Sequence, residues 1–319
     1  MSQPKGRQRR RLWRTLFVLV PLILILATYF VIGGVVAHNM VKPARKPITE
    51  VPSESGFGAV ESVSFMSDDG VPLKGYLLGE SVDRAILVVH GVYSHSWDCQ
   101  TPDLARALVD AGFRVLVFDL RCHGRSGGDH LGLGWLERLD VAAAIRFLLS
   151  KEFKSGKIGI HAASYGASAS IFATAMIPEV DSSVGALILD SSFANINDVI
   201  EGEIQRQTGL PSIATHALMP GIRFMSGQMY SLDMTGPFPE QALRDMHRRP
   251  TLLIHGEKDP VTPVGHVMRL KAAAPYAELW ILPGRLHTEG VLLSPDCVEP
   301  SPTREEYLKK VTNFFDNAL

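Results

Sequence analysis

Ser164 sits in Ile158-Gly159-Ile160-His161-Ala162-Ala163-Ser164-Tyr165-Gly166-Ala167, an apolar run that breaks into small residues around one hydroxyl. The run before it reads as a buried strand, and Ala167, Ala169, Ile171, Phe172 and Ala173 read as the apolar side of a helix. A serine at such a strand-to-helix turn is held in tight backbone, with its hydroxyl projecting from the carboxyl edge of a sheet. Small neighbours are needed because the chain crowds itself there. A serine hydroxyl is a weak nucleophile; it needs a general base, and the base needs an acid to orient it. Both lie downstream. The strand Thr251-Leu252-Leu253-Ile254 runs into His255-Gly256-Glu257-Lys258-Asp259, and the strand Glu278-Leu279-Trp280-Ile281-Leu282 runs into Pro283-Gly284-Arg285-Leu286-His287. Serine, aspartate and histidine thus each fall just past the end of a strand, the three residue types that acyl transfer through a serine nucleophile needs.

Other polar residues compete for these roles. His266 also follows Asp259, but only seven residues on and at a helix start, so His287 is preferred as the base. Asp190, at the end of the strand Gly185–Leu189, is an alternative acid, and the His255-Gly256-x-x-Asp259 context favours Asp259 over it. His90 and His123 are expected to order loops, His255 to fix the loop carrying Asp259, and His161 to be a hydrogen-bonded core histidine.

The elements that must position these residues follow from periodicity. Ala59–Met66 and Val71–Leu78 flank the turn Ser67-Asp68-Asp69-Gly70 and read as an antiparallel hairpin at a sheet edge. Ala85–Val89 is wholly apolar, as expected of a strand covered on both faces. Arg114–Phe118 is a further strand; helices are expected near Asp103–Ala111, Gly134–Leu149, 264–273 and 304–317. Such alternation predicts a mostly parallel sheet wrapped by helices.

The 319 residues, 46% of them hydrophobic, suffice for one large α/β domain and a short appendage. That appendage is the N-terminus. Thr15–Ala37 carries no charged side chain over 23 residues, long enough to cross a bilayer as a helix. Six Lys and Arg precede it and three follow by residue 46, a bias that places the N-terminus in the cytoplasm and the rest of the chain across the membrane. Val35-Val36-Ala37 resembles a signal cleavage site, but the apolar stretch is longer than a signal core, so an uncleaved anchor is expected. The division is a basic tail 1–14, a transmembrane helix 15–37, a linker 38–58 and a catalytic domain 59–319. Nine of the 32 Lys and Arg lie in residues 1–46, which have no acidic residue. The remainder holds 23 against all 33 Asp and Glu, a net charge of −10. An acidic domain without a basic patch argues against nucleic-acid binding. Cys99, Cys122 and Cys297 form no metal-binding pattern; one disulfide is conceivable in an oxidising compartment, with the pair left open.

Residues 59–317 resemble the α/β-hydrolase superfamily. Within it they are most similar to bacterial single-span hydrolases related to the serine aminopeptidase and prolyl-oligopeptidase-like groups. The resemblance is carried by His90-Gly91, by Asp119-Leu120-Arg121-Cys122-His123-Gly124-Arg125-Ser126, by the turn at Ser164, by His255–Asp259 and by Pro283–His287. It departs from the G-x-S-x-G elbow at one place, where Ala162 replaces the first glycine. It implies an eight-stranded sheet, Ser164 as nucleophile, His287 as base and Asp259 as orienting acid. Two backbone donors should hold the developing oxyanion, one from Tyr165 and one from the loop after His90-Gly91, at Val92 or else Tyr93. Residues 191–250 fall where such enzymes carry a small cap. There Ala214–Met219 and Ile222–Met225 suggest helices around Pro220-Gly221, and Met219, Met225, Met229 and Met234 either line an acyl pocket or pack the segment. The expected activity is hydrolysis of a carboxylic ester, including lipid-derived, thioester or amide substrates, with no metal or organic cofactor. A peptidase is the alternative enzyme, and a non-catalytic tethered binding protein the alternative of another class. An elbow aspartate would suit dehalogenase or epoxide hydrolase chemistry; this chain has serine.

Overall fold

The computed structural model describes residues 5–48, 50–53, 56–293 and 298–319. The chain divides into two compact units, one made of the N-terminal stretch to Met40 with Glu203–Gly236, the other of Val41–Gly202 with Pro237–Leu319.

The second unit holds a sheet. Among the described residues its strands are β1 (Val60–Met66), β2 (Pro72–Leu78), β3 (Ala85–Val89), β4 (Arg114–Asp119), β5 (Ile158–Ala163), β6 (Val184–Asp190), β7 (Thr251–Gly256) and β8 (Glu278–Leu282). They lie in the order β1-β2-β4-β3-β5-β6-β7-β8. β1 and β2 pair antiparallel, β2 pairs antiparallel with β4, and every pair from β4 to β8 is parallel. The mixed edge is the expected hairpin, and the parallel remainder follows from apolar runs that must be covered on both faces. All five residues of β3 are buried, as are all six of β7.

The chain also forms α1 (Lys5–Val41), α2 (Thr101–Asp110), α3 (Glu137–Ser150), α4 (Tyr165–Met176), α5 (Pro178–Ser183), α6 (Ile196–Thr208), α7 (Ser212–Tyr230), α8 (Pro239–Asp245), α9 (Gly265–Ala273) and α10 (Arg304–Ala318). In the sheet-bearing unit, Leu104 and Leu108 of α2 and Tyr307, Val311 and Phe315 of α10 pack with Ile86, Val88, Val115, Val117, Leu252 and Ile254 in one core. Burying side chains of this size is worth about 1.5–3 kcal/mol each. The parallel strands β3 to β8 all run one way, so the loops after His90, Asp119, Ala163, Asp190, Gly256 and Leu282 open at one carboxyl edge, where open α/β sheets hold their sites.

In the first unit α1 is longer than the uncharged stretch predicts, running to Val41, so the non-helical linker starts later than residue 38. The expectation of helices separated at Pro220-Gly221 is corrected. α7 is one helix of 19 residues with Pro220 inside it. A proline lacks its amide hydrogen and crowds the carbonyl four residues back, which ordinarily breaks the ladder. Here the hydroxyl of Tyr29 enters the gap: it accepts from Gly221 N–H at 2.7 Å and donates to the Ala217 carbonyl at 3.1 Å. One side chain from α1 thereby bonds a backbone donor and a backbone acceptor beside the proline.

Candidate active site

Ser164 stands between the last residue of β5 and the first of α4, at φ 51° and ψ −115°. Backbone in such a sparsely populated region costs about 1–3 kcal/mol and persists only where its surroundings enforce it. They do so here. Ser164 N–H donates to the Asp190 carbonyl at the end of β6, 2.7 Å away, and the Ser164 carbonyl accepts from Ala167 N–H at 3.1 Å. Gly166 is required next to it, because a Cβ there would lie 2.4 Å from the His90 carbonyl oxygen. The loop after β3 comes equally close: a Cβ on Gly91 would sit 3.3 Å from Ser164 Cβ. Of the residues predicted to supply oxyanion donors, Tyr165 follows the serine as the first residue of α4, and Val92 follows Gly91 in this loop. Tyr93, the alternative to Val92, takes φ 59°.

The structure brings the three predicted side chains into one hydrogen-bonded line. Ser164 Oγ is 2.7 Å from His287 Nε2, and His287 Nδ1 is 2.7 Å from Asp259 Oδ2. A carboxylate only accepts, so Nδ1 carries the imidazole proton and Nε2 is left to accept from the serine hydroxyl. Burial alone would raise the Asp259 carboxyl. The bonds from His287 and from the hydroxyl and N–H of Thr262 outweigh it and hold the group below its usual 3.8. Asp259 Oδ1 also accepts from Val261 N–H at 2.8 Å, closing a turn in which the carboxylate is fixed by its own loop. Such an arrangement can take a proton from Ser164 and stabilise the imidazolium that results.

The competing residues are occupied elsewhere. His266 is buried and its Nδ1 accepts from Ala194 N–H at 3.2 Å. Asp190 accepts from the Tyr307 hydroxyl at 2.6 Å and from Ser191 Oγ at 2.8 Å; burial pushes its carboxyl above the usual range, with those two hydroxyls pulling it back. His161 is the core histidine expected: burial lowers it to about 4, and its Nε2 lies 2.8 Å from Tyr307 Oη. His90 joins two site loops, with Nδ1 on the Gly91 carbonyl at 2.7 Å and Nε2 accepting from Leu120 N–H at 3.0 Å. His123 Nδ1 lies 2.8 Å from the Arg121 carbonyl, and His255 Nε2 donates to the Thr262 carbonyl at 2.5 Å beside Asp259.

Two supports were not singled out by sequence reasoning. Thr262 bonds Asp259 at 2.8 Å and lies 3.3 Å from His287 Nδ1. The run Asp259-Pro260-Val261-Thr262, with its capacity for an Asp-initiated turn, is the signal that could have found it. Ser191 Oγ accepts from Thr288 N–H at 3.2 Å, steadying the residue after His287, which itself takes φ 56°. Nothing local in the sequence marks that contact. Cys122 is a free, buried thiol, Cys99 is disulfide-bonded, and Cys297 lies outside the described residues.

Comparison with known proteins gives concordant results. Residues 80–235 match the family model described as serine aminopeptidase, S33. The uncharacterized protein YqkD of Bacillus subtilis is 26% identical over 313 residues, covering 92% of this chain and 95% of that one. The uncharacterized protein YfhR of Escherichia coli O157:H7 is 26% identical over 222 residues, 68% of this chain and 69% of that one. Among solved structures, the Pyrococcus furiosus esterase Pf2001 superposes with a TM-score of 0.69 at 21% identity, over 87% of this chain and 99% of its own.

Proposed function

We propose that this chain, a member of the α/β-hydrolase superfamily by its fold and family match, is a serine hydrolase that cleaves carboxylic esters through an acyl-enzyme. The observation that carries the reading is the unbroken line Ser164 Oγ–His287 Nε2, His287 Nδ1–Asp259 Oδ2 at 2.7 Å for each bond. His287 accepts the Ser164 proton as Oγ attacks the ester carbonyl. The C=O electron pair moves to oxygen, and that oxyanion is received by the N–H groups of Tyr165 and Val92. Each such donor is typically worth about 2.7–4 kcal/mol of barrier. His287 returns the proton to the leaving alkoxide as the C–O bond breaks. It then deprotonates a water that attacks the acyl-enzyme, and Ser164 leaves protonated.

Esters are preferred because the solved structure of the same fold is named an esterase. A peptidase is the second reading, favoured by the description of the matching family model. In our reading α1 anchors the protein in a membrane, with its basic N-terminus cytoplasmic and the catalytic unit outside. Leu12–Val41 is long and apolar enough to span, and the disulfide at Cys99 is of the kind that persists in an oxidising compartment.

The test is hydrolysis of p-nitrophenyl esters of graded acyl length by the full-length chain in detergent, beside Ser164→Ala. Turnover that disappears in the variant supports the reading. Turnover of aminoacyl amides in place of esters would move it to the peptidase, and no turnover of either would overturn it.

A further inference from the structure

The unit formed by α1 and Glu203–Gly236 carries an interaction surface that ester hydrolysis does not require. α7 lies along the last turns of α1 in parallel register. Tyr29 meets Ala217 and Gly221, Gly33 faces Gly221 and Ile222, Gly34 faces Met225 and Met229, and His38 Nδ1 is 2.6 Å from Tyr230 Oη. The approach is backbone-close. A Cβ on Gly33 would lie 2.9 Å from the Gly221 carbonyl, and one on Gly221 would lie 2.6 Å from the Tyr29 ring. Small residues of this kind let helices meet in lipid, where no hydrophobic force drives them together.

Depth follows from the register. Gly221 is level with the outer third of the apolar stretch of α1, and Ile213 lies eight residues earlier in α7. At about 1.5 Å per residue it is up to about 12 Å further toward the cytoplasmic end of α1. The tip that joins α6 to α7 is apolar and uncovered: Ile213 is 80% exposed and Leu210 40%. Further up, Phe224 remains 52% exposed although its ring packs on Phe30 at 5.2 Å. The charges nearest the tip, Glu203 and Arg206, pair with each other on α6. Most telling is Tyr29. Backbone groups beside a helix proline can turn to water at an aqueous surface, whereas in lipid they must find partners in the protein. Here the Tyr29 hydroxyl bonds the Gly221 N–H and the Ala217 carbonyl beside Pro220.

We infer that the corner where α6 turns into α7 is a second membrane-contacting element. It is seated on α1 through Tyr29 and Gly33 and inserts Leu210 and Ile213 among the acyl chains of the outer leaflet. The inference rests on the anchor proposed above and commits to lipid as the partner of this face.

The test uses full-length protein in phosphatidylcholine vesicles, with a single cysteine introduced at Leu24, Ile213 or Val82 and labelled with an environment-sensitive nitrobenzoxadiazole. The unsubstituted chain, taken through the same labelling, is the blank, and ester hydrolysis checks that each labelled protein is folded. Lipids carrying a spin label on the acyl chain should quench the probe at Leu24→Cys and Ile213→Cys, with blue-shifted emission at both, and leave the probe at Val82→Cys, 77% exposed in the catalytic unit, unaffected. Quenching at 24 without quenching at 213 would overturn the insertion of this corner while leaving the anchor standing. An unquenched probe at 24 would overturn the anchor and the inference with it. Adding Tyr29→Phe to Ile213→Cys should weaken quenching at 213; undiminished quenching would overturn Tyr29 as the seat.

Discussion

β3 and α1 are both strongly apolar, and they treat their side chains in opposite ways. Every residue of β3 is buried between layers of the catalytic unit, whereas α1 leaves Phe17 83% and Ile25 68% exposed. The polar groups differ in the same sense. At the strand ends they face one another to make a site, as Ser164, His287 and Asp259 do. Between α1 and α7 the Tyr29 hydroxyl is spent on backbone groups beside a proline. Both regions pair their polar groups; in the proposed anchor, lipid would take the place that the packed core takes around β3.

Substitutions in the catalytic line should separate the regions most sharply. Ser164→Ala or His287→Ala is expected to lower kcat by about 10⁶-fold, the scale on which such residues act as a unit, with no change in vesicle binding. Loss of both properties together would dissolve the comparison. Asp259→Asn keeps the shape but turns the imidazole to the wrong tautomer, and a fall of about 10⁴-fold in kcat is expected from steady-state kinetics. Gly166→Ala drives a methyl against the His90 carbonyl and should cost about 1–3 kcal/mol in denaturant unfolding. A neutral result there would mean that the loop after β3 is not held against the elbow.

The smallest effect is in pH. The folded Asp259 carboxyl lies below its ordinary value, so its ionised form stabilises the fold in full above about 4, and that contribution is lost as pH falls through the lower folded value. The stability gap between the native chain and Asp259→Asn, measured by urea unfolding, should therefore narrow as pH drops below about 4. A gap that widens would contradict the bonds drawn from His287 and Thr262.

The sheet and the three side chains that meet at its edge were legible because the placement of each depends on local sequence. An apolar run sets a strand, and the residue just past it is delivered to the carboxyl edge. The small residues around Ser164 were legible for the same reason, since the crowding they relieve comes from their own turn and the loop beside it. What was not legible depends on contacts made far along the chain. Asp190 reads as a free acid until Tyr307 arrives from α10, 117 residues later, to bond it. Thr288 needs Ser191 from another strand end. The continuity of α7 could not be read from Pro220-Gly221, and the hydroxyl that bonds its backbone beside the proline comes from Tyr29, 192 residues away.

The central claim is that Ser164 is a nucleophile activated by His287. Fluorophosphonate labelling of the full-length protein, followed by peptide mapping, tests it most directly, because the reagent phosphonylates only an activated hydroxyl. The account predicts a single adduct on Ser164 that is lost in His287→Ala. An adduct on another residue, or none on a folded protein, would contradict it.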